Sequence, residues 1–456
     1  MESESLTPQT ELDARPSVAV ATGELPGMNI LQSFGGYAFL ETFLEGSQNL
    51  NPGRKARKKI YLSDPTKATD RAILKEKLKL WVDVLSSSDN QNEMQDTAKT
   101  KAAEVEASLN KNLGKALTAT HDLEVSYRAL SLFYKNAEAD KLSNITVVNA
   151  SFEQLTDLDN SRFIDFIADE LKQNYDRLDL RKNYSLLVVP GFMGSNAVLE
   201  KWAKIAHANK AMLFTDFADL DSPDDVIDLF STADMTGAEL FRSNVIMTCN
   251  WALGREKLAA VGETEDLFVP PSSALAGKVY YTLMSQVTAG KKHGGMNEVP
   301  AVRFELRKSE ISALERLNLV PMVYEYSRVM AFGGKTLFNG DNLGLQTYSV
   351  VRVFDHITKV LFDFLNRRAF ENWNTLVESD LRRQIINFLD SVKGPTKLVE
   401  NFRITRLERD SKQKDRVYLD IRITPYFPAK SFVIRLDGRR GDDVESPEWV
   451  SDYTEA

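Results

Sequence analysis

Two glycine loops are where this chain comes nearest to chemistry. In Val188-Val-Pro-Gly-Phe-Met-Gly-Ser-Asn196 a strand feeds a helix, and Gly191 and Gly194 let backbone N–H groups approach a phosphate or an oxyanion. Acyl chemistry there also needs a nucleophile, and the Gly-x-Ser-x-Gly elbow that presents one is absent from the sequence. The second loop, Gly333-Gly-Lys-Thr336, ends like a phosphate-cradling loop. Val329 stands where its leading glycine belongs, however, and Leu337 to Gly344 is turn-rich rather than helical. The acid pairs Asp224/Asp225 and Asp442/Asp443 fall at a helix start and in a polar tail, where solvation accounts for them. His121, His207, His293 and His356 are scattered and Cys249 is the single cysteine, so no zinc spacing and no disulfide framework is present. These patterns assign no catalytic, cofactor-binding or metal-binding residue.

Both loops belong to a body that reads as α/β. Tyr184 to Pro190 is a continuous apolar run, a helix follows over 196–208, and a second strand spans Ala211 to Asp216. Strand–helix–strand at this spacing is a βαβ unit, so the middle of the chain predicts a mixed sheet with parallel pairing covered by helices. Ser222-Pro223 starts a further helix, and Leu319 to Tyr324 supplies another strand. Two long helices come next, one with Val350, Val353, Phe354, Ile357, Leu361 and Phe364 on one face, the other with Leu381, Ile385, Phe388, Leu389 and Val392. Upstream, residues 66 to 135 are helical in pattern, with a strongly polar helix at about 93–113 that projects from the body or lies on another subunit. Asn144 to Asn149 reads as a short strand, and Ser151 with Gln154 as a capping box.

The C-terminal fifth carries the clearest β pattern. Phe402-Arg-Ile-Thr-Arg-Leu leads into a polar turn over 408–415, and the returning run alternates Val417, Leu419, Ile421 and Ile423 with polar residues. A third run places Phe432, Ile434 and Leu436 on one face. Period-two alternation gives one apolar and one wet face, and the outer edges of so few strands need a partner. Two arrangements follow: strands packed on the chain's own body, or strands exchanged with a neighbour.

With 456 residues, 43% hydrophobic and 27% charged, the chain has room for two or three cores. We divide it into an N-terminal arm (1–62), a helical region with a short strand (63–180), an α/β body (181–400), joining strands (401–437) and an acidic tail (438–456). Within the arm, residues 17–22 suit a strand, residues 39–44 a short helix, and Arg54 to Lys59 form the one basic cluster. The net charge of −8 argues against nucleic acid as partner. No apolar run reaches the ~18 residues of a membrane span, and the acidic start lacks the features of a signal peptide, so a cytoplasmic protein without membrane insertion is expected.

Several segments, in order, resemble the large subunit of the type VI secretion contractile sheath, the TssC/VipB family, in a divergent branch similar to Bacteroidetes systems. Asp122-Leu-Glu-Val-Ser-Tyr-Arg-Ala-Leu130 looks like that family's Leu-Glu-x-x-Trp-Arg-Gly-Leu helix, with Tyr127 and Ala129 departing from its Trp and Gly. Ile145 to Leu158 is similar to the strand–helix that follows, Asn318 to Val323 to a late strand, and Thr424 to Leu436 to the closing segment, where Pro428 departs. The resemblance spans roughly 66–437. It implies a structural protein, not an enzyme, without cofactor. A small sheath subunit (TssB/VipA-like) would pair with it, and the pairs would stack as a helical polymer around an Hcp-like inner tube on a baseplate. Contraction would drive the tube outward, and an AAA+ unfoldase would act on the contracted form. It also implies neighbours stitched by terminal strands, which makes Phe402, Ile404, Val417, Leu419, Ile421, Ile423, Phe432, Ile434 and Leu436 the candidate interface. The alternative is an α/β hydrolase-like enzyme or a nucleotide- or solute-binding module using the 190–196 or 333–336 loop.

Overall fold

The computed structural model describes residues 56, 60, 61, 63–138, 142, 144–181, 183–429, 433–438 and 449–454. The expected arm, with its 17–22 strand and 39–44 helix, lies almost wholly outside these residues, as do Phe432 and most of the acidic tail. The chain divides into two compact units at Lys115.

The first unit contains α1 (Ala68–Leu85) and most of α2 (Gln91–Ala119). Ile73, Leu74, Leu78 and Leu80 on α1 are exposed, and so are Val105, Leu109 and Leu113 on α2. The last three recur every four residues and therefore form one row along a helix that is otherwise polar.

The second unit is built on a five-stranded sheet. Strands β1 (Leu186–Val188), β2 (Met212–Asp216), β3 (Val245–Cys249) and β6 (Val320–Glu325) are parallel, and β7 (Arg328–Ala331) returns antiparallel to β6, in the order β1-β2-β3-β6-β7. Tyr326 and Ser327 make the two-residue turn between β6 and β7, both with positive φ, the conformation that matches the twist of a tight hairpin. Between β3 and β6 lies the hairpin β4 (Ala252–Arg255)–β5 (Leu267–Val269).

Every residue of β2 and β3 is buried because both faces of the sheet are covered. Leu213, Val245, Met247 and Cys249 face a core shared with α5 (Arg162–Tyr175), α6 (Asn196–Ala208), α7 (Pro223–Thr232) and α9 (Lys308–Arg316). Met212, Phe214, Ile246 and Met322 face the opposite core, with α3 (His121–Asn136), α8 (Ser272–Tyr281) and the start of α10 (Tyr348–Arg367). The sequence reading placed α3 and α5 in a helical region ending at 180, yet Leu132 and Ile164 sit in these two cores. Gly277 on α8 lies so close to α3 that a Cβ there would meet the Phe133 carbonyl at 2.3 Å.

Local signals set the helix starts. Ser195 and Ser222 accept the Val198 and Asp225 amides at the heads of α6 and α7. The Ser151–Gln154 box closes reciprocally on the short α4 (Phe152–Thr156). Asn374 accepts two amides, at 2.9 Å each, at the head of α11 (Thr375–Ser391).

One expected strand does not form. Residues 144–149 are irregular, with Ile145, Val147 and Val148 exposed, because no described strand offers them a ladder. The C-terminal segment adds two separate hairpins: β8 (Val399–Arg409) with β9 (Val417–Pro425), and β10 (Val433–Gly438) with β11 (Trp449–Thr454). Strand β11 falls in what reads from sequence as a tail.

Candidate assembly surface

Both glycine loops are filled by the chain's own groups. Gly191 and Gly194 have φ of +99° and +77°, so the turn needs glycine, but the Gly191 N–H donates to Asp216 Oδ2 at 2.8 Å. Asp216 is buried and accepts further bonds from Thr248 Oγ1, from the Ser272 amide at 2.8 Å and from Ser272 Oγ at 2.5 Å. Burial pushes its carboxyl up from the usual range, and these donors oppose the shift. The turn is thus a strut joining the C-terminal ends of β1, β2 and β3 to the head of α8. Burial pushes the Cys249 thiol, on β3, well above its ordinary range and leaves it inert. In the second loop, Lys335 bonds to the Gln346 side chain, and the buried Thr336 donates to the Leu345 carbonyl at 2.6 Å.

The β8–β9 hairpin is a long antiparallel ladder in which Phe402 faces Ile423, Ile404 faces Ile421 and Leu407 faces Leu419. Simple alternation from Phe402 and Ile404 would bring Arg406 inward. A bulge between Ile404 and Arg406 resets the phase, buries Leu407 and turns Arg406 outward. There Arg406 stacks 4.1 Å over Tyr418 and donates to Glu408 at 2.7 Å. The apolar face of the hairpin, with Phe402, Ile404, Leu419, Ile421 and Ile423, packs on Val353, Ile357, Ile385 and Leu389 of α10 and α11.

Of the candidate interface residues, five therefore rest on this chain's own helices. Val417 is exposed near the turn, Ile434 is 53% exposed on β10, Leu436 lies on β10, and Phe432 is outside the described residues. Among the described residues, β8 and β9 form a two-stranded sheet; the start of β8 is bridged at Val399 to the 392–394 turn, and beyond it no further strand pairs with either outer edge.

The helix carrying Glu124 and Arg128 also takes a definite role. Arg128 Nε bonds Glu124 Oε1 at 2.9 Å and its Nη1 donates to the Gly254 carbonyl at 3.0 Å. Arg255 on β4 then bridges Glu124 and Glu263, anchoring α3 to the β4–β5 hairpin. Sequence reasoning missed Arg255 and Glu263, whose only signal was their type. Ala129 is buried, whereas Tyr127 is 73% exposed, so one departure from the family pattern lies in the core and the other on the surface.

Three family models match the chain: the type VI secretion system TssC/VipB central domain over residues 115–339, the TssC/VipB-like C-terminal domain over 347–455, and the TssC/VipB-like N-terminal region over 27–113. No curated protein matches it. Among solved structures it is similar to the anti-feeding prophage helical sheath in the contracted state, with 16% identity, a TM-score of 0.47, and coverage of 69% of this chain and 81% of that one. The anti-feeding prophage baseplate matches at 14% identity and a TM-score of 0.46, over 67% of this chain and 84% of the other. The sheath complex of an extracellular contractile injection system, PVC, matches in its contracted state at 13% identity and a TM-score of 0.40, over 53% and 68%.

Proposed function

The chain belongs to the TssC/VipB family of the type VI secretion system and is a structural subunit of a contractile sheath; on that premise we propose that it builds the sheath by strand addition to its C-terminal hairpin. The observation that carries this is the state of β8–β9. Its apolar face is already occupied by α10 and α11, while beyond the Val399 bridge its two edges offer backbone donors and acceptors to another chain. An added strand gains main-chain hydrogen bonds without any change in the body. A head-to-tail contact of this kind does not close on itself and propagates as a helix.

In this reading the small sheath subunit covers the exposed rows of α1 and α2, where Val105, Leu109 and Leu113 offer a seam for a partner helix. The pairs stack in the cytoplasm around an inner tube on a baseplate. Contraction is a change between two packings of rigid bodies joined by strands, with the energy stored at assembly, and it drives the tube out of the cell. An AAA+ unfoldase then takes the contracted form apart. The role is structural, not catalytic: in the 190–196 turn the Gly191 amide is taken by Asp216. No described helix is long and apolar enough to cross a membrane.

The test is co-expression with the small sheath subunit, followed by negative-stain microscopy. Long hollow tubes are expected. Discrete heterodimers that never polymerise would contradict the reading.

A further inference from the structure

One cluster of charged groups lies in the body, away from the β8–β9 ladder, on the face of α10 that meets the parallel sheet. Arg352, Asp355, His356 and Lys359 follow one another on α10 at spacings of three, one and three, which places them on one face of the helix. That face closes over the starts of β1 and β2, leaving a cavity of about 20 Å³ lined by these four residues together with Ser185 and Lys210 and, on its apolar side, Met212 and Met284.

The charges there do not balance. Lys210, Arg352 and Lys359 bring three cations against the single carboxylate of Asp355, whose oxygens are taken by Asn244 Nδ2 at 2.8 Å and by Lys210 at 3.7 Å. Lys359 Nζ donates to the Tyr184 carbonyl at 2.9 Å, a neutral acceptor, and has two more protons to give. Arg352 Nη1 is closed off from solvent, and among the described residues nothing accepts its hydrogens. A buried cation without a counter-charge is among the costliest arrangements in a protein interior. Burial pulls Lys359 down to about 8 and Arg352 down to about 10.

We infer that this cavity is a binding site for one small inorganic anion of chloride size, with the unpartnered Arg352 Nη1 and the Lys359 ammonium, which both line it, as its donors. The space suits that ligand. On this measure a single water needs about 10–15 Å³, so 20 Å³ accommodates one monoatomic ion and excludes a nucleotide or a sugar phosphate. The anion would neutralise the excess charge where α10 crosses the N-terminal end of the parallel sheet. It would therefore stabilise the seat of the helix that also carries the β8–β9 hairpin.

The experiment uses the full chain co-purified with its small subunit. Melting is followed in sodium chloride and in sodium gluconate at equal ionic strength, and crystals are soaked in bromide for anomalous diffraction. A melting temperature that rises with chloride relative to gluconate, as mass action requires of a native-state ligand, is expected. Arg352→Gln should abolish that difference, and a bromide peak should lie within hydrogen-bond reach of Arg352 Nη1. Equal melting in the two salts, or the same difference in Arg352→Gln, would overturn the site. So would a bromide peak without any salt effect, which is binding at crystal concentration only. If Arg352→Gln does not fold, the wild-type salt comparison and the bromide map decide together.

Discussion

Arg255 and Glu124, 131 positions apart, meet in a two-pronged ion pair: Nε on Oε1 at 2.8 Å and Nη2 on Oε2 at 3.1 Å. The other side of the same guanidinium holds Glu263 at 2.6 and 2.7 Å. Arg255 holds the Glu263 carboxyl down at about 2 and lowers that of Glu124 as well. A depressed carboxylate adds stability above its unfolded value near 4.5 and loses it as pH falls toward about 2. An acid limb in this window is therefore predicted in thermal melts. Arg255→Gln should flatten it and cost about 1–2 kcal/mol at neutral pH.

Ile421→Lys acts on the chain's own fold. Ile421 faces Ile404 across the ladder, and both pack on α10 and α11, so the ammonium would be pressed into an apolar contact. The expected result is a lower melting temperature and early proteolysis after Val392, with the parallel sheet surviving. Ile421→Ala should cost about 1–2 kcal/mol, less than a fully buried site.

Ile434→Glu should behave in the opposite way. Its side chain is half out in solvent, so melting should stay within about 0.5 kcal/mol of wild type. If β10 lies in a joint, sheath pelleting should be lost, and normal tubes from this variant would remove β10 from the interface.

Lys335→Ala and Thr336→Ala separate the phosphate-loop reading from the structural one. Lys335 pairs with the Gln346 side chain, and its loss should leave assembly intact. Thr336 is buried with its hydroxyl on the Leu345 carbonyl, so its loss should cost about 1 kcal/mol. Nucleotide binding by the wild-type chain, measured calorimetrically, would contradict both expectations.

Much of the fold was legible because its signals are local. Helix α6 begins and ends where the apolar spacing places it, over 196–208, and the β1–α6–β2 unit follows from strand and helix lengths. The stretch from 233 to 316 was not legible. Val245 to Cys249 is buried on both faces and shows no alternation, and α8 is buried almost all round and shows no amphipathic stripe. The 144–149 run had a β pattern without a partner strand, which only the tertiary structure reveals. At the joining surface, the bulge near Thr405 exchanged Leu407 for Arg406 on the apolar face, a phase shift that alternation alone does not carry. The unpaired edges of β8 and β9 are likewise a property of topology.

The most direct test is a cryo-EM map of the sheath formed with the small subunit, read along Val399–Arg409 and Val417–Pro425. The account predicts a strand from another chain hydrogen-bonded along the outer edge of β8 or β9, with Phe402, Ile404 and Ile421 still seated on α10 and α11. A sheath in which this hairpin remains two-stranded, with subunits joined only through side chains elsewhere, would contradict it.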